Sequence, residues 1–289
     1  MALVAFASLS GCATSLDEPL VTSAVSKPTN MTLGDSYLSD FYQFGGGITQ
    51  PGKLLRQEPL DKQQSNPGAG ENIRLLYSST DGLDGKERVA VSGVLFLPEG
   101  TAPEGGWPLM AWTHGTVGIA DICAPSWNGR QEQDRTHLKF WLENGYAVIA
   151  SDYQGLGTPG THPYLATRPE AYSNLDIIRA VQSAGFPVSK KVVLFGQSQG
   201  AGAAVATAAY VADYASDVEI AGVVATGVPY FSPKALVALQ ESRPPDRVDP
   251  MLGYNMLALS LVQRINPEFK LADYVSDDVL PIAQSVQNT

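Results

Sequence analysis

The stretch Val192-Val193-Leu194-Phe195-Gly196-Gln197-Ser198-Gln199-Gly200-Ala201 indicates the fold more strongly than any other part of the chain. Residues 192–195 form a short apolar run that is typical of a buried strand, and an alanine-rich helix is predicted over 199–213. Between them lies a G-x-S-x-G match centred on Ser198. A strand, a tight turn with a central serine and a helix are together the setting of a nucleophile elbow.

The residue types in this turn suit a reactive serine. A serine on a tight turn projects its hydroxyl above the sheet, and glycines on either side let neighbouring backbone come close without a clashing Cβ atom. The peptide N–H of Gln199, at the start of a helix, would face the position where an oxyanion forms. Two interpretations stay open: Ser198 is a nucleophile, or it is an incidental serine in an ordinary strand-to-helix turn.

On both sides of this stretch, predicted strands alternate with predicted helices. This alternation predicts an α/β fold, with a mostly parallel sheet flanked by helices and a partial helical cap after the sixth strand. The strands are predicted at 74–80, 88–97, 109–113, 146–151, 192–195 and 220–226, and the helices at 132–144, 170–183, 199–213, 234–240 and 251–264.

We divide the chain into four parts. Residues 1–12 read as an export signal, 13–70 as a linker and N-terminal extension, 71–230 as a core that is incomplete at its C-terminal end, and 231–289 as a cap or lid region. The apolar residues of the last part fit a lid, and they fit ordinary core helices equally well.

Composition excludes several classes of protein. Hydrophobic residues make up 44% of the 289 residues and charged residues 17%, which excludes a disordered chain, a coiled coil and a fibrous repeat. The formal net charge is −10 and the longest basic run is Lys190-Lys191, so we expect no nucleic-acid partner. No apolar stretch reaches the roughly 18 residues that a membrane-spanning helix needs.

Polar and glycine residues also follow two other predicted strands. After the strand that ends at Thr113 come His114, Gly115 and Thr116, where a second set of oxyanion amides is expected. His114 is predicted to be a core histidine that orients this loop. Asp152 and Tyr153 follow the strand over 146–151, where they would either hydrogen-bond the adjacent loop or contact a substrate directly.

Four motifs carry a resemblance to the secretory lipase family of α/β-hydrolases. His114-Gly115-Thr116 followed by Cys123-Ala124-Pro125-Ser126 resembles one block of that family, and 152–157, 196–200 and 51–56 resemble three others, in matching order and spacing. The resemblance implies an exported carboxylic-ester hydrolase that acts on lipid or other acyl esters and needs no cofactor. It implies Ser198 as the nucleophile, with a triad acid and histidine later in the chain.

The histidines depart from that pattern. His114, His137 and His162 all precede Ser198, whereas a triad of this family runs serine, acid, histidine, so the triad acid and histidine stay unknown. Three explanations compete: the chain is a fragment, which we favour; it is a non-catalytic envelope binding module of the same fold; or an upstream histidine, His162 first, substitutes. Reading the gene past codon 289 separates the first two.

Cofactor and metal sites are not predicted. Residues 155–160 form a literal G-x-G-x-x-G after a strand, but Pro159 and Pro163 oppose the helix that a dinucleotide site needs. There is no P-loop sequence, and the spacing of the histidines does not suit a metal site.

The first residues of the chain indicate where the protein is located. Leu9-Ser10-Gly11-Cys12 after an apolar run resembles a lipobox, which predicts export to the cell envelope or secretion, with possible membrane anchoring through a lipidated Cys12. Cys123 would then have no disulfide partner in this chain.

Overall fold

The computed structural model describes residues 38–243, 249 and 251–287, so the segment over 1–12, with Cys12, lies outside the described residues. One sheet of seven strands organises the chain, with the strand order β1-β2-β3-β5-β4-β6-β7. The strands are β1 Leu54–Pro59, β2 Ala69–Thr80, β3 Arg88–Pro98, β4 Trp107–Thr113, β5 Ala147–Ser151, β6 Val188–Gln197 and β7 Glu219–Thr226.

Helices cover the sheet and follow it. They are α1 Pro125–Asn128, α2 Glu132–Glu143, α3 Thr167–Ser183, α4 Gln199–Tyr214, α5 Pro233–Glu241, α6 Met251–Ile265 and α7 Leu280–Gln287. Short 3-10 helices lie at Asp40–Tyr42, Asp121–Cys123 and Leu271–Asp273.

Strand direction brings the ends of several strands to one edge. The strands β5, β4, β6 and β7 are parallel neighbours, whereas the β1–β2, β2–β3 and β3–β5 pairs are antiparallel. Five of the seven strands therefore run in one direction, and the predicted α/β class with a mostly parallel sheet is confirmed. The carboxyl ends of β4, β5 and β6 lie side by side, which is where open α/β sheets bind their ligands.

The central strands feed two cores because successive side chains point to opposite faces. Leu109 and Ala111 of β4 join the larger core, against α3 and α4. Met110 and Trp112 of the same strand join a second core, against α2. All five residues of β5 are buried, which explains its continuous apolar sequence.

The structure also contains a strand that the sequence analysis does not predict. β1 lies inside the segment interpreted as linker and extension, and it pairs with β2 at one edge of the sheet. Its residues are mostly half-buried or exposed, so they carry no apolar alternation that a pattern could detect. Arg56 of this strand donates hydrogen bonds to the carbonyl groups of Asp40 and Gln43, both at 2.7 Å, and so attaches the preceding segment to the sheet.

The helices after β7 bury few of their residues. α5 and α6 occupy the predicted positions, but several of their large apolar side chains are exposed: Leu236, Val237, Leu239, Leu252 and Ile265. The two interpretations of these helices, a lid and ordinary core helices, both stay predictions. Arg264 of α6 ties this region to the rest of the protein through the Thr161 carbonyl, at 2.7 Å, and the Asp81 carboxylate, at 3.3 Å. In the described ranges no helix has both the length and the apolarity needed to cross a bilayer.

Helix α2 offers a direct test of the second core. Leu138 is fully buried, whereas Phe140 on the same helix is 59% exposed. We expect Leu138→Ala to lower the free energy of unfolding by about 2–5 kcal/mol, because it removes buried methyl groups and leaves a cavity. Phe140→Ala, the matched control, should change it by less than about 1 kcal/mol. Urea denaturation measures both; equal losses would contradict the assignment of α2's buried face.

Candidate active site

Ser198 occupies a strained turn between β6 and α4. Its backbone has φ 56° and ψ −124°, a conformation that costs a residue with a side chain on the order of 1–3 kcal/mol. Its N–H donates to the Thr226 carbonyl of β7 at 2.9 Å, and its carbonyl accepts from Ala201 N–H at 2.9 Å. The turn is therefore held from both sides.

The two flanking glycines are required by space. A Cβ atom at Gly200 would lie 1.9 Å from the carbonyl oxygen of Thr113, and one at Gly196 would lie 2.1 Å from the carbonyl oxygen of Gly200. The Thr113 hydroxyl also donates to the Gly200 carbonyl at 2.7 Å. The first turn of α4 thus lies directly against the end of β4, which fixes the direction in which Ser198 points.

The Ser198 side chain is partly exposed, while Gln199 after it is buried. Among the residues that the structure describes, no group hydrogen-bonds the Ser198 hydroxyl. Ser198 precedes the first residue of a 16-residue helix, whose N-terminal end carries partial positive charge. An accessible hydroxyl at the positive end of a helix is the arrangement that a nucleophile needs.

The loop after β4 lies beside this hydroxyl. A Cβ atom at Gly115 would be 3.8 Å from the Ser198 Cβ and 3.1 Å from the Gln197 side-chain oxygen. Thr116, the next residue, shares a hydrogen bond of 2.8 Å with the Tyr164 hydroxyl. The structure therefore brings Gly115, predicted from the sequence, to the side of Ser198, and Thr116 follows it in the same loop.

His114 is buried beneath that loop. Its Nδ1 lies 2.7 Å from the Gly115 carbonyl and its Nε2 lies 3.3 Å from the Asp152 carbonyl, and its ring stacks on Tyr153 with 4.2 Å between centroids. Burial lowers the pKa of His114 to about 4, so the ring is neutral, and its shorter contact makes Nδ1–H the donor. Tyr153, with φ 71°, donates its hydroxyl hydrogen to the His114 carbonyl at 3.0 Å. Both residues support the loop from below.

Asp152 ties three segments together. Its fully buried carboxylate accepts from the Ser92 hydroxyl at 2.7 Å, from the Ser126 N–H at 3.0 Å and from the Ser126 hydroxyl. Burial raises the pKa of Asp152, and the hydrogen bonds from Ser126 oppose that shift. The carboxylate thus holds β3 and α1 against the end of β5, and the two roles left open for Asp152 stay predictions.

A buried polar cluster that includes His162 lies on the other side of the elbow. The Gln199 side-chain nitrogen is 2.8 Å from Glu170 Oε1 and 3.2 Å from His162 Nε2, and His162 Nδ1 is 2.9 Å from the Gln154 carbonyl. Burial raises the pKa of Glu170 to about 8 and lowers that of His162 to about 4. Sequence reasoning missed Glu170 because a glutamate in the first turn of a helix is ordinary; only its place on the buried face distinguishes it.

The remaining histidine lies on another face. His137 of α2 accepts from the Trp141 indole N–H at 3.1 Å and packs on Trp112 and Phe195. None of the three histidines hydrogen-bonds Ser198 within the described part of the chain. In the same residues, no three His, Cys, Asp or Glu side chains are grouped to hold a metal ion.

The family, the curated relative and the two solved structures that resemble this chain are all lipases or esterases. Residues 129–238 match the model of the secretory lipase family. Lipase A of Moesziomyces aphidis is 23% identical over 236 residues, which cover 78% of this chain and 48% of that protein. The structure is similar to Candida antarctica lipase A (TM-score 0.66, 20% identity, 86% of this chain and 58% of that chain). It is also similar to the rice cell wall degrading esterase LipA from Xanthomonas oryzae (TM-score 0.64, 24% identity, 83% and 66%).

These matches bear on two expectations. The resemblance to the secretory lipase family of α/β-hydrolases that the motifs predict is confirmed, as is the α/β-hydrolase fold. The chain spans about half the length of this curated relative.

Two glycines of α4 test the close approach at the elbow. Gly200→Ala should lower the free energy of unfolding by more than about 3 kcal/mol or prevent folding, because its Cβ would lie 1.9 Å from a backbone oxygen. Gly202→Ala is the matched control: its Cβ has nothing nearer than 3.8 Å, so the helix should gain about 0.5–1 kcal/mol. Thermal and urea unfolding of both variants provide the measurement. A Gly200→Ala protein as stable as wild type would refute the geometry of the turn.

The raised pKa of Glu170 predicts how the stability of the protein changes with pH. An ordinary glutamate pKa is 4.5, and burial raises that of Glu170 to about 8. The folded state keeps the proton longer than the unfolded state, so the stability present below pH 4.5 is lost as pH rises through about 8. Between pH 7 and 9 the wild-type chain should lose on the order of 1 kcal/mol of unfolding free energy.

The matched variant for this prediction is Glu170→Gln, which does not titrate. Its unfolding free energy should change less than that of wild type between pH 7 and 9. The range starts above the ordinary histidine pKa of 6.5, so the buried His114 and His162 contribute little there. Urea titrations of both proteins at pH 7 and pH 9 measure this difference. An equal change of unfolding free energy in the two proteins would count against a buried, protonated Glu170.

Proposed function

We propose that this chain, which matches the secretory lipase family over residues 129–238, is a carboxylic-ester hydrolase of the lipase or esterase type. It would act on lipid or other acyl esters through an acyl-enzyme at Ser198. The single observation that supports this most is the Ser198 turn, with a positive φ and an accessible hydroxyl at the start of α4. Residues held in such strained conformations cluster at active sites, and a strained strand-to-helix turn is the setting of a nucleophilic serine.

The proposed chemistry assigns a role to each group at the site. The Ser198 oxygen attacks the ester carbonyl carbon, and the carbonyl oxygen becomes an oxyanion that accepts from the N–H groups of Gln199 and of the Gly115–Thr116 loop. The alcohol leaves with the proton of the Ser198 hydroxyl, and water then cleaves the acyl-serine bond, which releases the acid and returns a proton to the Ser198 oxygen. His114, Asp152 and Tyr153 act by supporting the loop after β4. The general base is assigned to none of the three histidines, since none contacts Ser198.

The substrate class and the location follow from the same proposal. The exposed apolar side chains of α5 and α6 suit contact with an acyl chain, which favours lipid or other acyl esters. Export to the cell envelope or outside it fits the family match. Anchoring through Cys12 belongs to the same proposal and concerns residues that the structure does not describe. The roles of cap for 231–289 and of core for 71–230 likewise stay predictions.

Ser198→Ala tests the proposal directly. We expect the wild-type protein, expressed from the full reading frame of its gene, to be labelled by a fluorophosphonate probe and to hydrolyse p-nitrophenyl esters. Ser198→Ala should abolish labelling and lower kcat by at least about a thousandfold, because the nucleophile is removed.

The control is Ser183→Ala, at an exposed serine at the end of α3, which should match wild type. Labelling that survives Ser198→Ala would refute the nucleophile. A folded wild-type protein that neither reacts with the probe nor turns over any ester would favour the alternative, a non-catalytic envelope binding module of the same fold.

A further inference from the structure

We propose that Glu170 and His162 hold the side chain of Gln199 from two sides. They thereby fix the position of the Gln199 peptide N–H, which would donate to the oxyanion. The inference rests on the proposed function and adds two positioning residues to it. Glu170 and His162 do not touch the reacting atoms; they act through Gln199. We call the three side chains, Glu170, Gln199 and His162, the amide clamp.

The clamp uses both hydrogens of one amide group. Gln199 Nε2 carries two hydrogens, and it lies 2.8 Å from Glu170 Oε1 and 3.2 Å from His162 Nε2. All three residues are at least 98% buried, so water does not compete for these bonds.

The same contacts fix the protonation of His162. Because Gln199 donates to Nε2, that nitrogen must be without hydrogen, and Nδ1–H then donates to the Gln154 carbonyl at 2.9 Å. Burial keeps the pKa of the ring at about 4, so it stays neutral at ordinary pH. Both ring nitrogens are occupied, and His162 therefore has no free nitrogen with which to deprotonate Ser198. The clamp gives this upstream histidine a role other than that of a substitute base.

The clamp matters to the reaction because of where Gln199 lies. Gln199 is the first residue of α4 and follows directly on the strained Ser198. Oxyanion donors contribute only when they lie about 2.7–3.1 Å from the developing charge, and a loss of about 1 Å in placement removes most of the benefit. Glu170 belongs to α3 and His162 to the loop after β5, so the clamp ties the start of α4 to two separate segments.

A purely structural role of the clamp and a positioning role predict different effects on kcat. Buried polar groups need partners in any protein, so removing one member lowers stability in either case. Only a positioning role also lowers kcat while KM stays unchanged, because the oxyanion forms in the transition state and not in the bound substrate. The kcat and KM values therefore separate the two roles.

The test uses three variants and one control in the full-length protein, with p-nitrophenyl butyrate as substrate. Glu170→Leu removes an acceptor, and Gln199→Met removes both donors while keeping the peptide N–H. Each should lower kcat 10–100-fold and leave KM within about threefold. Glu170→Gln keeps a carbonyl oxygen for Gln199 and should recover kcat to within about threefold of wild type at pH 7.

Asp176→Asn is the matched control. Asp176 is a buried carboxyl on the same helix, and it accepts from Ser79 at 2.7 Å and from Tyr214 at 2.6 Å. Its replacement should lower the unfolding temperature without changing kcat. If Glu170→Leu and Gln199→Met lower the unfolding temperature as Asp176→Asn does and leave kcat unchanged, the clamp is structural only and the proposal is overturned. Should Glu170→Leu fail to fold, Gln199→Met provides the same test.

A second measurement does not depend on turnover. The chain has three histidines, so ¹⁵N-histidine NMR can resolve each ring. His162 should show a neutral ring with Nδ1–H at pH 6, and its Nε2 resonance should shift in Gln199→Met. A charged His162 ring, or one with Nε2–H, would overturn the clamp.

The two proposals fail in different ways. An inert wild-type protein whose His162 spectrum matches the clamp refutes ester hydrolysis, and with it the catalytic purpose of the clamp. An active protein whose kcat is unchanged by Glu170→Leu and Gln199→Met refutes the clamp alone.

Discussion

The contact between the first turn of α4 and the end of β4 is the constraint on which the rest of the site depends. Thr113 donates its hydroxyl hydrogen to the Gly200 carbonyl, and its own carbonyl lies where any Cβ on Gly200 would have to be. A helix can come this close to a strand only through glycine. Once the two elements are in contact, the chain between them has little choice of path, and Ser198 takes a positive φ.

Burial gives this site its electrostatic character. His114 and His162 are buried and neutral, and Glu170 is buried with a raised pKa, so the surroundings of Ser198 contain polar groups but little charge. In such an environment fixed N–H dipoles act more strongly on a developing oxyanion than they would in water. The polar groups on both sides of the elbow are also rigid, because each is held by at least two hydrogen bonds or ring contacts. Preorganised dipoles of this kind are what acyl-transfer chemistry requires.

The sequence predicts the regular elements of the fold well and the tertiary polar contacts poorly. Periodicity locates β3, β4 and β5 and places α4 directly after Ser198, because buried strands and helices leave patterns over several residues. β1 leaves no pattern, since an edge strand with little burial has no alternation to detect. Ser198, Gly115 and Thr116 are found by local motif. The pairing of Glu170 with Gln199 joins residues 29 positions apart, and no single-sequence pattern encodes that contact.

The position of β7 has a consequence for the isolated chain in solution. β7 is the last strand of the sheet in the described residues, and its Val223 and Val224 are 38% and 42% exposed. An edge strand with accessible valines is a flank on which other strands can add. In the part of the chain that the structure describes, this flank of the sheet is therefore suited to pairing with a further strand.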